Sequence, residues 1–374
     1  MKRVLCDESE SKNLDATSDD DLTRHHDEIK KRKISIELSS ALEHDSNPVK
    51  VLLIDFVMNK CGELRSSEAS KLIENNNIGI GRLKHKLMNQ RLEAFSLQFN
   101  LINTIEKLYS PLEIKISNNH HCILICDFDV CAIRVYDLKT LEFQSLLPFA
   151  PNYFCIEEDY NGRGNDALVL PVDDTRVHKY DLRALFRHCS ETSSNCNPIW
   201  QTEPIHGVTG VAILVNSQTR TENQVFVCDT LLHCIHIFRS SSGDFIRKIN
   251  VNHPTSIAFT LNGDLIVSEA FIAQKVSIMS RNAENDWVVI KQMGEKKSHT
   301  LGEFFFPVSV MCDKVTNNFL VVDCLNNRIQ VFSQNGVFIK CYDQLNKPSS
   351  ACMNQRTGEL FVCDTGSQRV VIFK

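Results

Sequence analysis

A single pattern, written six times along the chain, limits the fold more than any other feature. In residues 360–373 (LFVCDTGSQRVVIF) an apolar run, Leu360 to Cys363, stops at Asp364. A polar turn, Thr365-Gly366-Ser367-Gln368, follows, and Arg369 opens a second apolar run, Val370 to Phe373. β-Branched and aromatic runs around a Gly-containing turn specify a β-hairpin. Both runs are apolar at nearly every position, as in strands covered on both faces. Close copies lie at 320–332 (LVVDCLNNRIQVF), 225–238 (VFVCDTLLHCIHIF) and 124–136 (LICDFDVCAIRVY). Weaker copies lie at 167–180 (ALVLPVDDTRVHKY) and 264–279 (DLIVSEAFIAQKVSIM). Centred on Asp127, Pro171, Asp229, Glu269, Asp323 and Asp364, the copies are 40 to 58 residues apart. Strand repeats of this period point to a β-propeller with one blade per copy. The fold class expected is all-β: a six-bladed β-propeller of four-stranded antiparallel blades.

The fifth copy carries a more specific pattern. Gly302-Glu303-Phe304-Phe305-Phe306-Pro307 is similar to the G-x-F-x-x-P segment that leads into a blade of the NHL-repeat propellers. Asn327 to Phe332, then Asn335-Gly336 and Phe338-Ile339, resembles the third strand, turn and fourth strand of that family. The sixth blade matches nearly as well, the second and fourth are degenerate, and the resemblance covers roughly residues 96–374. It implies a rigid scaffold for binding protein partners. It also implies a substrate-recruiting role associated with ubiquitin ligases, because NHL propellers often accompany RING-type modules. No RING-type array of paired Cys and His is present, so such a role needs a partner. A propeller hosts many activities, and the fold by itself decides none of them.

Ahead of the repeats, residues 1–47 carry 12 acidic and 8 basic residues with many Ser, Thr and Asn, a composition expected to be disordered. Lys30-Lys31-Arg32-Lys33 reads either as a nuclear import signal or as a local charge cluster. Residues 48–95 read as a small helical segment. Ser46-Asn47-Pro48 starts a first helix, and Leu83, Leu87, Met88, Leu92 and Phe95 recur at helical spacing in a third. The segment is either a cap packed on the propeller or a partner-binding subdomain. The propeller is expected over residues 96–374. Its sixth blade shows only three strands, so residues 97–108 (LQFNLINTIEKL) are expected to supply the fourth and join the two ends of the domain.

The 15 cysteines are an odd number, form no C-x-x-C pair, and often fall inside strand runs. Cys126, Cys228 and Cys363 occupy one slot in three blades, as small buried apolar residues would. Free thiols and an N-terminus unlike a signal peptide suggest a reducing compartment, cytoplasmic or nuclear. No run of 18 apolar residues spans a membrane. Cys189 and Cys196 flank a polar loop and are expected to be exposed.

The recurring Asp, with Arg or Lys five residues on in the clearest copies, is read as blade architecture: a carboxylate accepting turn N–H groups and pairing across the hairpin. His120-His121-Cys122 is read as core packing. A metal-dependent propeller hydrolase or lyase, lactonase-like, needs convergent ligands at the channel mouth. The residues before the blade-leading prolines are Ser110, Ala150, His253, Phe306 and Lys347, with His206 or Gly207 in the third blade, too few histidines for a three-His centre. Residues 96–374 hold 29 acidic against 25 basic residues, where a phosphate-binding face normally shows a basic excess. Nucleic acid is therefore not the expected partner, although Lys291, Lys296 and Lys297 form a local basic patch. Insertions at 183–203 and 280–303 hold the two tryptophans, Trp200 and Trp287. The expectation is a non-catalytic scaffold without metal or cofactor, binding proteins through His253, Phe306, Lys347 and Trp200.

Overall fold

The computed structural model describes residues 92–172, 175–190, 196–215 and 222–374. The acidic leader, the basic tetrad and the helices expected over 48–91 lie outside the described residues.

Six four-stranded antiparallel sheets form the six blades. In chain order, β1 is Leu101–Ile105, and blade 1 follows as β2 (Pro111–Ser117), β3 (Cys122–Asp127), β4 (Ala132–Asp137) and β5 (Phe143–Leu147). Blade 2 is β6 (Cys155–Glu157), β7 (Ala167–Val172), β8 (Arg176–Asp181) and β9 (Trp200–Gln201). Blade 3 is β10 (Val208–Leu214), β11 (Gln224–Asp229), β12 (Cys234–Arg239) and β13 (Phe245–Asn250). Blade 4 is β14 (Ser256–Phe259), β15 (Leu265–Glu269), β16 (Lys275–Arg281) and β17 (Trp287–Met293). Blade 5 is β18 (Pro307–Cys312), β19 (Phe319–Asp323), β20 (Arg328–Phe332) and β21 (Phe338–Tyr342). Blade 6 is β22 (Ser350–Asn354), β23 (Glu359–Asp364), β24 (Arg369–Phe373) and, as its outer strand, β1.

The continuous apolar runs have a direct cause. Alternate residues of a strand point to opposite faces, and each face of an inner blade strand meets a neighbouring blade. In β23, Leu360 and Val362 enter the cluster shared with blade 5, which includes Leu320, Val322 and Val331. Phe361 and Cys363 enter the cluster shared with blade 1, which includes Ile114, Ile123 and Ile125. Six such clusters hold the core, one for each junction between blades. Burying a Leu, Ile or Phe side chain fully contributes about 1.5–3 kcal/mol over leaving it exposed.

Residues 97–108 close the ring as expected. β1 pairs antiparallel with β24, Leu101 opposite Phe373 and Ile105 opposite Val370. Asn100 and Lys374 exchange backbone hydrogen bonds of 3.2 and 2.9 Å beyond the strand ends. Phe99 stacks on Tyr342 with ring centroids 5.2 Å apart and meets Phe373 edge-on. Phe95 was expected to end a helix. It is non-helical and buried in this same cluster, 4.9 Å from the Phe99 ring. Tertiary burial beside Phe99, not helical periodicity, decides its conformation.

A second departure lies in blade 2, where the insertion starts with a helix, α1 (Leu182–Ser190). Asp181 Oδ1 accepts the Ala184 N–H at 2.8 Å, which caps the first turn. Leu182 and Leu185 join the core between blades 1 and 2. Cys196, expected to be exposed, is partly buried against that cluster; the side chain of Cys189 lies outside the described residues. Every cysteine whose side chain is described is free, and Cys126, Cys228 and Cys363 are fully buried. No described helix is long and apolar enough to cross a membrane.

Candidate binding face and central channel

The innermost strands surround a central cavity of about 270 Å³, lined among others by Glu113, Lys115, Tyr153, Cys155, Ser309 and Cys352. Glu113 pairs with the Lys115 ammonium and accepts the Ser350 hydroxyl at 2.5 Å. Burial is the largest single influence and opposes the Lys115 charge, yet Glu113, together with Cys352 and Cys155, holds the ammonium above its usual pKa. Burial pushes the Tyr153 phenol up to about 12 and the Cys352 thiol up to about 11, and raises the Cys155 thiol further. These thiols are protonated near neutral pH and are poor nucleophiles. No histidine or aspartate lines the described cavity wall.

The turns between the second and third strands of each blade share one end of the propeller with the loops that lead into the first strands. Three of these turns are one-turn 3-10 helices, Phe128–Val130, Cys324–Asn326 and Thr365–Ser367. They close on left-handed residues, Cys131, Asn327 and Gln368. His233 and Gln274 take the same conformation in blades 3 and 4. From blades 3, 4 and 5 that residue reaches into the next blade. His233 Nδ1 accepts the His253 N–H at 3.3 Å, Gln274 Oε1 the Phe306 N–H at 2.5 Å, and Asn327 Oδ1 the Lys347 N–H at 2.8 Å. His253, Phe306 and Lys347 are themselves left-handed, with φ of 48°, 67° and 47°. A non-Gly residue in this region costs roughly 1–2 kcal/mol, which the inter-blade hydrogen bonds offset. Three of the four sequence-expected site residues thus stitch neighbouring blades together through their backbones. They stand at equivalent points rather than converging. Trp200 is buried in the outer strand of blade 2, its indole N–H donating to Ser240 O at 2.8 Å. Trp287 opens the outer strand of blade 4 and packs edge-on to Phe226.

Sequence reasoning did not single out the tips of these turns. Phe128, Leu231, Leu232, Phe271, Ile272 and Leu325 project from blades 1, 3, 4 and 5, with Leu231 and Ile272 each 66% exposed. Phe271 meets Phe306 edge-on at 5.3 Å. In blade 6 the same turn is polar, Thr365-Gly366-Ser367. The readable signal was apolar residues at turn positions that are ordinarily polar.

Beneath the tips lie the recurring carboxylates. Asp127, Asp229, Asp323 and Asp364 are fully buried. The expected pairing five residues on holds for Asp323 with Arg328 at 2.7 Å and Asp364 with Arg369 at 2.9 Å. In blade 1 the partner is Arg134, two residues further along the same strand face, at 2.7 Å. Blade 4, one residue longer, pairs Glu269 with Lys275 at 3.4 Å. The N–H donors differ from expectation. They come mainly from the loop leading into the blade, with Ser110 N, Phe305 N and Asn346 N at 2.7, 2.7 and 2.6 Å from their carboxylates, because the ends of the first and second strands are adjacent. Blade 3 keeps the turn donor, Leu232 N at 2.8 Å from Asp229 Oδ1. Gly207 backs this carboxylate so closely that a Cβ would lie 2.8 Å from the Leu231 nitrogen.

Comparison with known proteins agrees with this architecture. The NHL repeat family matches residues 345–373. No curated protein matches the sequence. Among solved structures, a structural genomics protein of unknown function from Bacteroides thetaiotaomicron has a TM-score of 0.51 at 12% identity, covering 75% of this chain and 74% of its own. The Cps50 (Swd1) β-propeller domain of Myceliophteria thermophila has a TM-score of 0.49 at 10% identity, covering 73% and 98%. Virginiamycin B lyase from Staphylococcus aureus has a TM-score of 0.46 at 11% identity, covering 72% and 83%. The first of these is a likeness of fold alone.

Proposed function

We propose that this protein, an NHL-repeat β-propeller, is a protein-binding module whose partner seats on the turn face over blades 3, 4 and 5. The observation that supports this is the exposure of Leu231, Leu232, Phe271, Ile272 and Leu325 at the tips of rigid turns. Exposed apolar side chains grouped on one surface are typical of interaction sites, and loops on a rigid scaffold are where binding residues concentrate. The stitched backbones of His253, Phe306 and Lys347 preorganise that surface, which lowers the entropic cost of docking. Recruitment of substrates to a separate ubiquitin-ligase module is the finer form of this reading and rests on the family resemblance. A lactonase-like metal reaction in the channel is less well supported, since its described wall carries neither His nor Asp.

The test compares partners captured by the full chain with those captured by two double variants. Leu232→Glu with Ile272→Glu alters the turn face, and Phe245→Glu with Ile290→Glu alters exposed outer-strand positions. Specific partners should be lost from the first and kept by the second, with unchanged circular dichroism in both. Equal retention by both variants overturns the face assignment. Ubiquitin-ligase subunits among the partners would support the finer form.

A further inference from the structure

We propose that Asp229, Cys234 and His236, at the head of blade 3, form a three-ligand site for one zinc-class divalent cation, with a fourth position left to water.

The topology brings the donors together. Asp229 and Cys234 are register partners across the β11–β12 hairpin, and His236, two residues on, shares the Cys234 face of its strand. His236 Nε2 lies 3.3 Å from Asp229 Oδ2 and 3.4 Å from Cys234 Sγ. All three donor atoms lie within 4.8 Å of one another. Tetrahedral zinc, with bonds of about 2.3 Å to sulfur and about 2.0–2.2 Å to nitrogen and oxygen, sets neighbouring donors roughly 3.3–3.6 Å apart. Two edges of the tripod are therefore already at coordination spacing.

Charge supplies a second, independent reason. The buried carboxylates of blades 1, 4, 5 and 6 each face a permanently cationic side chain, Arg134, Lys275, Arg328 and Arg369. Asp229 is equally buried. Among the described residues the side chain nearest its free oxygen is the His236 imidazole at 3.3 Å, with no Lys or Arg. The slots that hold cations elsewhere hold a thiol and an imidazole here. A buried carboxylate is costly without a compensating cation, and one sulfur, one nitrogen and one oxygen donor suit zinc. Asp229 Oδ1 is taken by the Leu232 N–H, which leaves Oδ2 facing the other two ligands. The His236 ring stacks on Phe238 and meets Phe245 edge-on, which holds its orientation. The His236 side chain, 16% exposed, gives solvent a route to the fourth position. Binding replaces the Cys234 S–H bond by a sulfur–metal bond and releases that proton to solvent.

The experiment uses the full chain, stripped with a chelator, dialysed and titrated with Co²⁺. One equivalent should produce a thiolate-to-cobalt charge-transfer band that Zn²⁺ then displaces, and Zn²⁺ should raise the melting temperature. Other blades show that the variants fit the fold, since Ala132 and Gln330 fill the corresponding slots of blades 1 and 5. Cys234→Ala should abolish the band, and His236→Gln should weaken Co²⁺ binding by at least about tenfold. Cys324→Ser should leave both unchanged. No stoichiometric band in the unaltered chain, or a band that survives Cys234→Ala or is unweakened in His236→Gln, overturns the site and leaves Asp229 and His236 as a plain hydrogen-bonded pair.

Discussion

Arg328 donates from Nε to Oδ2 of the buried Asp323 at 2.7 Å, while its terminal nitrogens reach the carbonyls of His299, Thr300 and Glu303 at 2.8–2.9 Å. One side chain thus neutralises the carboxylate of blade 5 and fastens the loop that leads into it. Removing it leaves a buried charge and takes a donor from each of the three carbonyls, of which Thr300 O keeps the Glu303 N–H and Glu303 O keeps the Gln330 amide. Arg328→Met is expected to cost about 3–5 kcal/mol, read as a lower urea midpoint at neutral pH. Arg369→Met in blade 6 should cost distinctly less, because Arg369 is one-third exposed and water can replace it. Equal losses would refute this ranking.

Glu269 gives a dependence on pH. Burial raises its pKa above the ordinary 4.5, and Lys275 and Ser277 oppose the shift without cancelling it. A carboxyl with a raised folded pKa binds its proton more tightly in the folded state. Its favourable contribution is complete below 4.5 and is lost as pH rises through the raised value. Melting temperatures of the unaltered chain and Glu269→Gln, compared from neutral to mildly acidic pH, should show the unaltered chain gaining relative stability on acidification. A constant difference across that window would contradict the assignment.

The closing strand should be indispensable. Deleting residues 96–108 removes β1 and exposes the edge of β24, a template for edge-to-edge aggregation. An insoluble or strongly destabilised product is expected, and a soluble, cooperatively melting one would exclude this role. Phe99→Ala, which empties the ring site beside Tyr342 and Phe373, should cost about 3–5 kcal/mol by chemical denaturation.

Gln274 tests the stitching between blades. Its side chain accepts the Phe306 N–H and donates to Ala270 O, and it is buried. Gln274→Ala leaves both backbone groups without this partner, so a loss of about 1–3 kcal/mol is expected. Hydrogen exchange should quicken at the Phe306 amide. Unchanged exchange there would show that the bond does not hold the loop.

Much of the fold was legible because a blade is largely a local object. Residues 360–373 announce two strands and a turn within fourteen positions, and their alternation between two junctions explains why both faces are apolar. The missing outer strand was deducible from counting strands in the last blade. Three features were not legible. The Asp-plus-five spacing found Arg328 and Arg369 but not Arg134 or His236, since strand pleating offers two slots on the same face and sequence spacing does not choose between them. The donors to Asp127, Asp323 and Asp364 come from about eighteen residues upstream, which only folding makes adjacent. Helix α1 was hidden in a stretch read as an insertion loop.

The turn face divides in the same way. The apolar character of Leu231, Leu232, Phe271 and Ile272 is written in the sequence, but their exposure is not, because the same residue types one turn away are core. By itself the sequence determined the six strand repeats, the closure of the ring and the placement of a carboxylate at the end of most second strands, all consequences of residue order and strand periodicity. The tertiary structure decided what surrounds each carboxylate. Whether Asp229 meets a guanidinium or a thiol and an imidazole depends on register across the hairpin, which sets side chains from separate strands within bonding distance.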